Sequence, residues 1–283
     1  MSEKSRFVVS PEWLVKHLRD PGLSIVDGSW YLPAQNRDAR AEYEEAHIPG
    51  AIFFDQDDVV DPESHLPHAL PSPKVFGRHA SAMGITRDDT IVVYDGPGFF
   101  SAPRVWWLFR TMGAEKVFIL DGGIDRWKAE GHIVTAEPTL SIPSVFLPEF
   151  DRSAVAGLAD VRTCVEDGAS QIADARPAGR FTGAEPEPRQ GMRSGHMPGA
   201  RNVPALALSE NGSLLPLDEL KRRIEDAGID LDRPVITTCG SGVTAAVISL
   251  ALQSLGHGDN RLYDGSWSEW GGRQDTPVVT GDP

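Results

Sequence analysis

Cysteine is scarce: the 283 residues contain two, Cys164 and Cys239. They stand far apart in unlike local patterns, which supports no disulfide framework, and no Cys/His spacing has the form of a zinc site. Also lacking is any apolar run of membrane-spanning length. The opening Met-Ser-Glu-Lys-Ser-Arg has no apolar stretch between a basic end and a cleavage site, so the expectations are no membrane partner and a cytoplasmic location. Positive charge is in deficit, with 27 Lys and Arg against 41 Asp and Glu and a formal net charge of −14. Such a surface repels nucleic acid and anionic membrane, and an anionic substrate on it requires a local cationic pocket. What is present, 40% hydrophobic and 24% charged residues, suffices for one large or two ordinary domains.

The chain repeats itself. Ser24-Ile-Val-Asp-Gly-Ser29, His47-Ile-Pro-Gly-Ala51, Thr90-Ile-Val-Val-Tyr-Asp95 and Val117-Phe-Ile-Leu-Asp-Gly-Gly123 come first. They are answered in order by Gln171-Ile-Ala-Asp-Ala-Arg176, His196-Met-Pro-Gly-Ala200, Pro234-Val-Ile-Thr-Thr-Cys239 and Arg261-Leu-Tyr-Asp-Gly-Ser266. Matching residues lie about 143 to 149 apart, a domain-sized period. Each copy alternates short apolar strands with amphipathic helices, the pattern of an α/β domain with a mainly parallel sheet flanked by helices. Three prolines without helical periodicity in Glu137-Pro-Thr-Leu-Ser-Ile-Pro-Ser-Val-Phe-Leu-Pro148 predict an extended linker. The expected domains are therefore 1–137 and 150–283, with 138–149 between them. The Gly-, Pro- and Thr-rich tail, Gly271 to Pro283, is expected to lie on the surface or fray.

Local signals place single residues. Ser10-Pro11-Glu12 reads as a helix start leading into Leu14, Val15 and Leu18 on one face. Val161, Cys164 and Val165 fall at i, i+3 and i+4, which puts Cys164 on the buried face of a helix in a structural role. His47 and His196 recur in both copies, so they belong to turn and packing. Trp106 and Trp107 read as core or interdomain contacts, and Arg104 beside them as an additional site candidate.

Arg233-Pro-Val-Ile-Thr-Thr-Cys-Gly-Ser-Gly-Val-Thr-Ala-Ala-Val247 reads differently, as a short buried strand, a tight loop from Cys239 and a helix starting near Thr244. Gly240 and Gly242 let the backbone curl so that several N–H groups face one point at a helix N-terminus, which favours S⁻ over SH and marks Cys239 as the nucleophile. Six residues on, where a Cys-dependent phosphatase needs an arginine, stands Ala245. The first copy carries Asp95 at the position of Cys239, and a carboxylate cannot carry sulfur. Its domain is expected to act as a wall or a source of supporting residues for a site between the domains.

Cys239-Gly-Ser-Gly-Val-Thr244, followed by Leu262-Tyr-Asp-Gly-Ser-Trp-Ser-Glu-Trp270, resembles the 3-mercaptopyruvate sulfurtransferases among the tandem rhodanese-domain enzymes, over nearly the whole chain. The resemblance implies two rhodanese-like domains and sulfur transfer from 3-mercaptopyruvate through a Cys239 persulfide to a thiol such as thioredoxin or glutathione, or to cyanide. Pyruvate leaves, and no metal or organic cofactor is required. Gly179-Arg-Phe-Thr-Gly183 and Pro186-Glu-Pro-Arg189 match the family's substrate segment, so Arg180 and Arg189 are expected to hold the substrate carboxylate. Gly240, Gly242, Val243 and Thr244 would contribute loop N–H groups. Phe53-Phe-Asp-Gln-Asp57 and His65-Leu-Pro-His-Ala-Leu-Pro71 resemble the stretches that supply an Asp and a His, best matched by Asp57 and His68, with Asp55 and His65 as alternatives. With Ser241 they would form a Ser/His/Asp relay. Thiosulfate sulfurtransferases of this fold carry cations inside the loop, where this chain has Gly240 and Ser241; thiosulfate is the alternative donor. A non-enzymatic binding module on a degenerate scaffold is a further alternative.

Overall fold

The computed structural model of the chain describes residues 3–96 and 98–282; Pro97 of the Asp95 loop and Pro283 of the tail lie outside the described residues. The first sheet contains strands β1 (Val8–Val9), β2 (Leu23–Asp27), β3 (Ala51–Phe53), β4 (Thr90–Tyr94) and β5 (Val117–Leu120) in the order β1-β5-β4-β2-β3. The second contains β6 (Val155–Ala156), β7 (Gln171–Asp174), β8 (Arg201–Asn202), β11 (Val235–Thr238) and β12 (Asn260–Tyr263) in the order β6-β12-β11-β7-β8. Position for position the two orders are the same, and all pairings within both sheets are parallel. Strands β9 (Ser209–Glu210) and β10 (Ser213–Leu214) form a separate antiparallel hairpin. The fold is thus α/β, with two five-stranded parallel sheets flanked by helices.

Helices α1 (Pro11–His17), α2 (Ala39–Glu45), α3 (Pro73–Ala82), α4 (Ala102–Thr111) and α5 (Gly123–Ala129) cover the first sheet. Their counterparts in the second half are α6 (Leu158–Asp167), α7 (Ala178–Thr182), α8 (Leu217–Asp226), α9 (Ala245–Ser254) and α10 (Ser266–Trp270). Ser10 caps α1 by accepting the Trp13 N–H. Leu14 is buried as expected, but Val15 is 42% exposed. One residue turns a helix by about 100°, so a helix that seats Leu14 against the sheet rotates Val15 to solvent. Cys164 is buried and donates to the Ser170 carbonyl at 3.2 Å.

Two segments are held more firmly than their composition suggests. The linker has no regular structure, yet Ser144 and Phe146 bond to Ser81 and Ile85 beside α3, and Phe146 packs on Phe76 and Phe109. The described tail lies on the surface and is tied there: Val279 bridges His196, Thr276 is buried under Arg193, and Trp270 donates to the Pro277 carbonyl. Local composition left surface and fraying both open; these long-range partners hold a largely exposed tail on the surface. His47 makes the equivalent bridge to Thr135 in the first half, and each histidine stacks on an aromatic ring of its own copy, Tyr43 or Phe181.

Helices α4 and α9 are buried on nearly every side, so neither presents a broad solvent face. Each lies against its own sheet and they pack on each other across the interface. As a result a single apolar core joins Trp106 and Phe109 of the first half with Ala246 and Leu250 of the second. Each helix begins at the loop that follows β4 or β11 of its own half, and the Arg104 side chain near the start of α4 reaches the carbonyl of Gly242 in the loop before α9.

Candidate active site

All four residues of β11 are buried, and the chain leaves the sheet at Cys239, itself 2% exposed. The short α10 holds the loop from one side. Trp267 N–H donates to the Cys239 carbonyl at 2.9 Å, and Ser268 donates to the Gly240 carbonyl through both its N–H and its hydroxyl. Ser266 Oγ accepts the Cys239 N–H at 3.2 Å. With the carbonyls of Cys239 and Gly240 engaged, the N–H groups from Gly240 to Ala245 have no protein acceptor among the described residues.

The first copy shows what such a nest can bind. There the Asp95 carboxylate folds into its own loop and accepts the N–H groups of Phe100, Ser101 and Ala102 at 3.0, 2.7 and 2.8 Å. The corresponding amides before and at the start of α9 belong to Val243, Thr244 and Ala245. A nest that accommodates a buried carboxylate in one copy is suited to an anionic sulfur in the other.

Domain one supplies the other wall. His68 Nδ1 lies 3.0 Å from Ser241 Oγ, and His68 Nε2 lies 3.0 Å from Asp57 Oδ1. The hydrogen bond from His68 holds the Asp57 carboxyl below its usual range. An ionised Asp57 can only accept, so Nε2 carries a proton and, in the neutral ring, Nδ1 accepts from the Ser241 hydroxyl. Trp30, which sequence reasoning missed, donates its indole N–H to Asp57 Oδ2 at 3.2 Å and meets the His68 ring edge-on. The alternatives lie elsewhere. Asp55 pairs with Arg40 at 3.0 Å, and His65 is exposed.

Arg189 reaches the loop: its Nη1 is 3.9 Å from where a Cβ on Gly240 would stand. Arg180, on α7, is held 3.6 Å from Glu187 Oε2. Glu187 is in turn bound by Arg176, which also makes a forked pair with Asp174 and lies over the Trp267 ring. Through Glu187 and Arg176 this network ties Arg180 to the sheet and to α10.

Comparison with known proteins bears on this arrangement. Residues 10–130 and 158–273 each match the rhodanese-like domain. The 3-mercaptopyruvate sulfurtransferase of Escherichia coli strain K12 is 44% identical over 272 residues, spanning 95% of this chain and 96% of that one. The chain belongs to the tandem rhodanese-domain family. The mitochondrial thiosulfate/3-mercaptopyruvate sulfurtransferase 1 of Arabidopsis thaliana is 43% identical over 294 residues, covering 96% of this chain and 77% of its own length. A 3-mercaptopyruvate sulfotransferase crystal structure from Escherichia coli superposes with a TM-score of 0.85 at 42% identity, over 93% of this chain and 99% of that one.

Within this rhodanese site, Arg176, Glu187 and Trp30 escaped the sequence reading. One signal was available for Arg176: it replaces Ser29 at the matching place in the other copy, so a departure from the repeat marked it. Trp30 and Glu187 carry no such mark, because their partners lie across loops.

Proposed function

We propose that the chain transfers sulfur from 3-mercaptopyruvate through a persulfide on Cys239. Arg180 and Arg189 hold the substrate carboxylate, and the Cys239 thiolate attacks the substrate sulfur. A sulfur–sulfur bond forms as the carbon–sulfur bond breaks, and that bond's electron pair passes into the enolate of pyruvate. The Ser241/His68/Asp57 relay delivers one proton to the enolate carbon, releasing pyruvate, and the proton of the substrate thiol replenishes the relay. Loop N–H groups from Gly240 to Thr244 stabilise the anionic sulfur. A thiol such as thioredoxin or glutathione then takes the outer sulfur and restores the thiolate; cyanide does the same to give thiocyanate. The reading rests on one observation above all, the His68 ring bridging Asp57 and Ser241 beside the nucleophile loop. A reducing compartment suits a working thiol, and we place the protein in the cytoplasm; no helix among the described residues is long and apolar enough to cross a membrane.

The test is the rate of thiocyanate formation from 3-mercaptopyruvate and from thiosulfate side by side. Mercaptopyruvate is expected to be the better donor, since the loop itself has no cation for a dianion. Cys239→Ser should abolish transfer from both donors while leaving the circular dichroism unchanged. Arg180→Ala and Arg189→Ala should each raise KM for mercaptopyruvate about tenfold or more, the loss of a charge-assisted bond. Full activity of Cys239→Ser overturns the mechanism, and a preference for thiosulfate overturns the donor.

A further inference from the structure

Arg104 and Asp264 come from different domains and form a buried pair, Nη2 to Oδ1 at 2.6 Å, with the side chains 2% and 14% exposed. The repeat does not require it. The counterpart of Asp264 in the first copy, Asp121, pairs with Arg126 of its own domain and with Lys4, and the place of Arg104 in α9 is taken by Val247. The pair is therefore an asymmetric feature, found on the side of the molecule where the two copies build one site.

Its contacts fall on both halves of the relay. Arg104 Nη2 donates to the His68 carbonyl at 2.7 Å, and Asp264 Oδ2 accepts the Leu70 N–H at 2.6 Å, so the pair grips the chain at and beyond His68. His68 sits at φ +55°, a left-handed conformation uncommon outside glycine, so its backbone lies off the ordinary course of the chain where the pair holds it. On the other side, Arg104 Nη1 lies 3.5 Å from the Gly242 carbonyl, one residue from Ser241. Gly242, at φ +79°, rests directly on the pair: a Cβ there would come within 2.9 Å of the Asp264 carbonyl, 3.2 Å of Arg104 Nη1 and 3.4 Å of Asp264 Oδ1.

We propose that Arg104 and Asp264 are positioning residues that set the His68–Ser241 distance, so that the domain without a nucleophile delivers its histidine to the loop of the other in register. The inference rests on the relay reading above. A hydrogen bond between groups 173 residues apart in sequence needs both backbones fixed to a few tenths of an ångström, and this pair binds both. Neither side chain touches the reacting sulfur in this account; both act through His68 and Ser241.

The test is a double-mutant cycle read by pyruvate release in a single turnover with 3-mercaptopyruvate. Removing one partner leaves a buried unpaired charge that can unfold the chain, so the principal variant is Arg104→Gln with Asp264→Asn, which removes both charges and keeps hydrogen-bonding groups; Arg104→Lys is the conservative companion. The double variant should slow release at least tenfold with less than a twofold change in half-saturation, and Arg104→Lys should recover part of the loss. In a Ser241→Ala background the same double substitution should cause no further slowing. Equal slowing in both backgrounds, an effect confined to half-saturation, or no slowing overturns the positioning role. Ser241→Ala alone leaving release unchanged would overturn the relay, and the positioning role with it; Ser241→Ala slowing release while the pair variant does not would remove the pair and leave the relay intact.

Discussion

Asp27 and Asp174 occupy the same place at the ends of β2 and β7, and the residue two positions on decides what each becomes. Asp174 meets Arg176 in a forked pair, whereas Asp27 meets Ser29, whose backbone N–H it accepts at 2.9 Å, and no cation. Burial without a cation raises the Asp27 carboxyl from its ordinary 3.8 to about 6. The sign follows from which state ionises first. Below pH 4 both folded and unfolded chains carry the proton; as pH rises towards 6 and beyond, the unfolded chain gains charge earlier and stability is lost. A rise of this size corresponds to a loss on the order of 2–3 kcal/mol. Asp27→Asn, which keeps an acceptor for the Ser29 N–H, should flatten the fall in unfolding free energy between pH 4 and 7, measured by urea denaturation at a series of pH values. An unchanged slope would show that Asp27 does not carry it.

At the level of elements, the loop between β11 and α9 is held from three sides: by α10 through Trp267 and Ser268, by the buried Arg104–Asp264 pair, and by the start of α9 itself. Its shape depends on Gly242, whose left-handed backbone and lack of side chain let the chain lie against Asp264. Gly242→Ala should destabilise the protein by about 2 kcal/mol, since Ala is strained at positive φ and its methyl group meets backbone. It should also slow sulfur transfer by a larger factor than an equally destabilising substitution in α8. Urea midpoints and steady-state rates on the two variants separate the effects. The first-copy loop is fixed in another way, by the Asp95 carboxylate, whose burial raises its pKa even as backbone N–H groups of its own loop oppose the rise.

Across the whole molecule, the packing of α4 on α9 makes the two sheets share one core, with Trp106, Phe109, Ala246 and Leu250 in a single apolar cluster. Domains joined only by a linker unfold separately; domains that share a core should not. Differential scanning calorimetry is therefore expected to show one transition whose calorimetric and van't Hoff enthalpies agree. Two resolved transitions would mean that the interface contributes little, and would weaken any account in which domain one holds His68 rigidly.

Much of this was legible in order along the chain. The repeat, the α/β alternation, the Ser10 cap, the burial of Cys164 and the strand–loop–helix around Cys239 all depend on neighbours a few residues apart, where backbone preference and side-chain periodicity act directly. The resemblance of the loop to a known family named its relatives from the same short stretch. What the tertiary structure decided is of another kind: His68 rather than His65 against Ser241, Asp57 rather than Asp55 behind it, Val15 turned to solvent, the tail tied down by His196 and Arg193, and Arg104 joined to Asp264. Each of these is a choice among partners distant in sequence. It is made when two sheets dock through α4 and α9, and the geometry of that docking is a sum over the whole interface that no local pattern records.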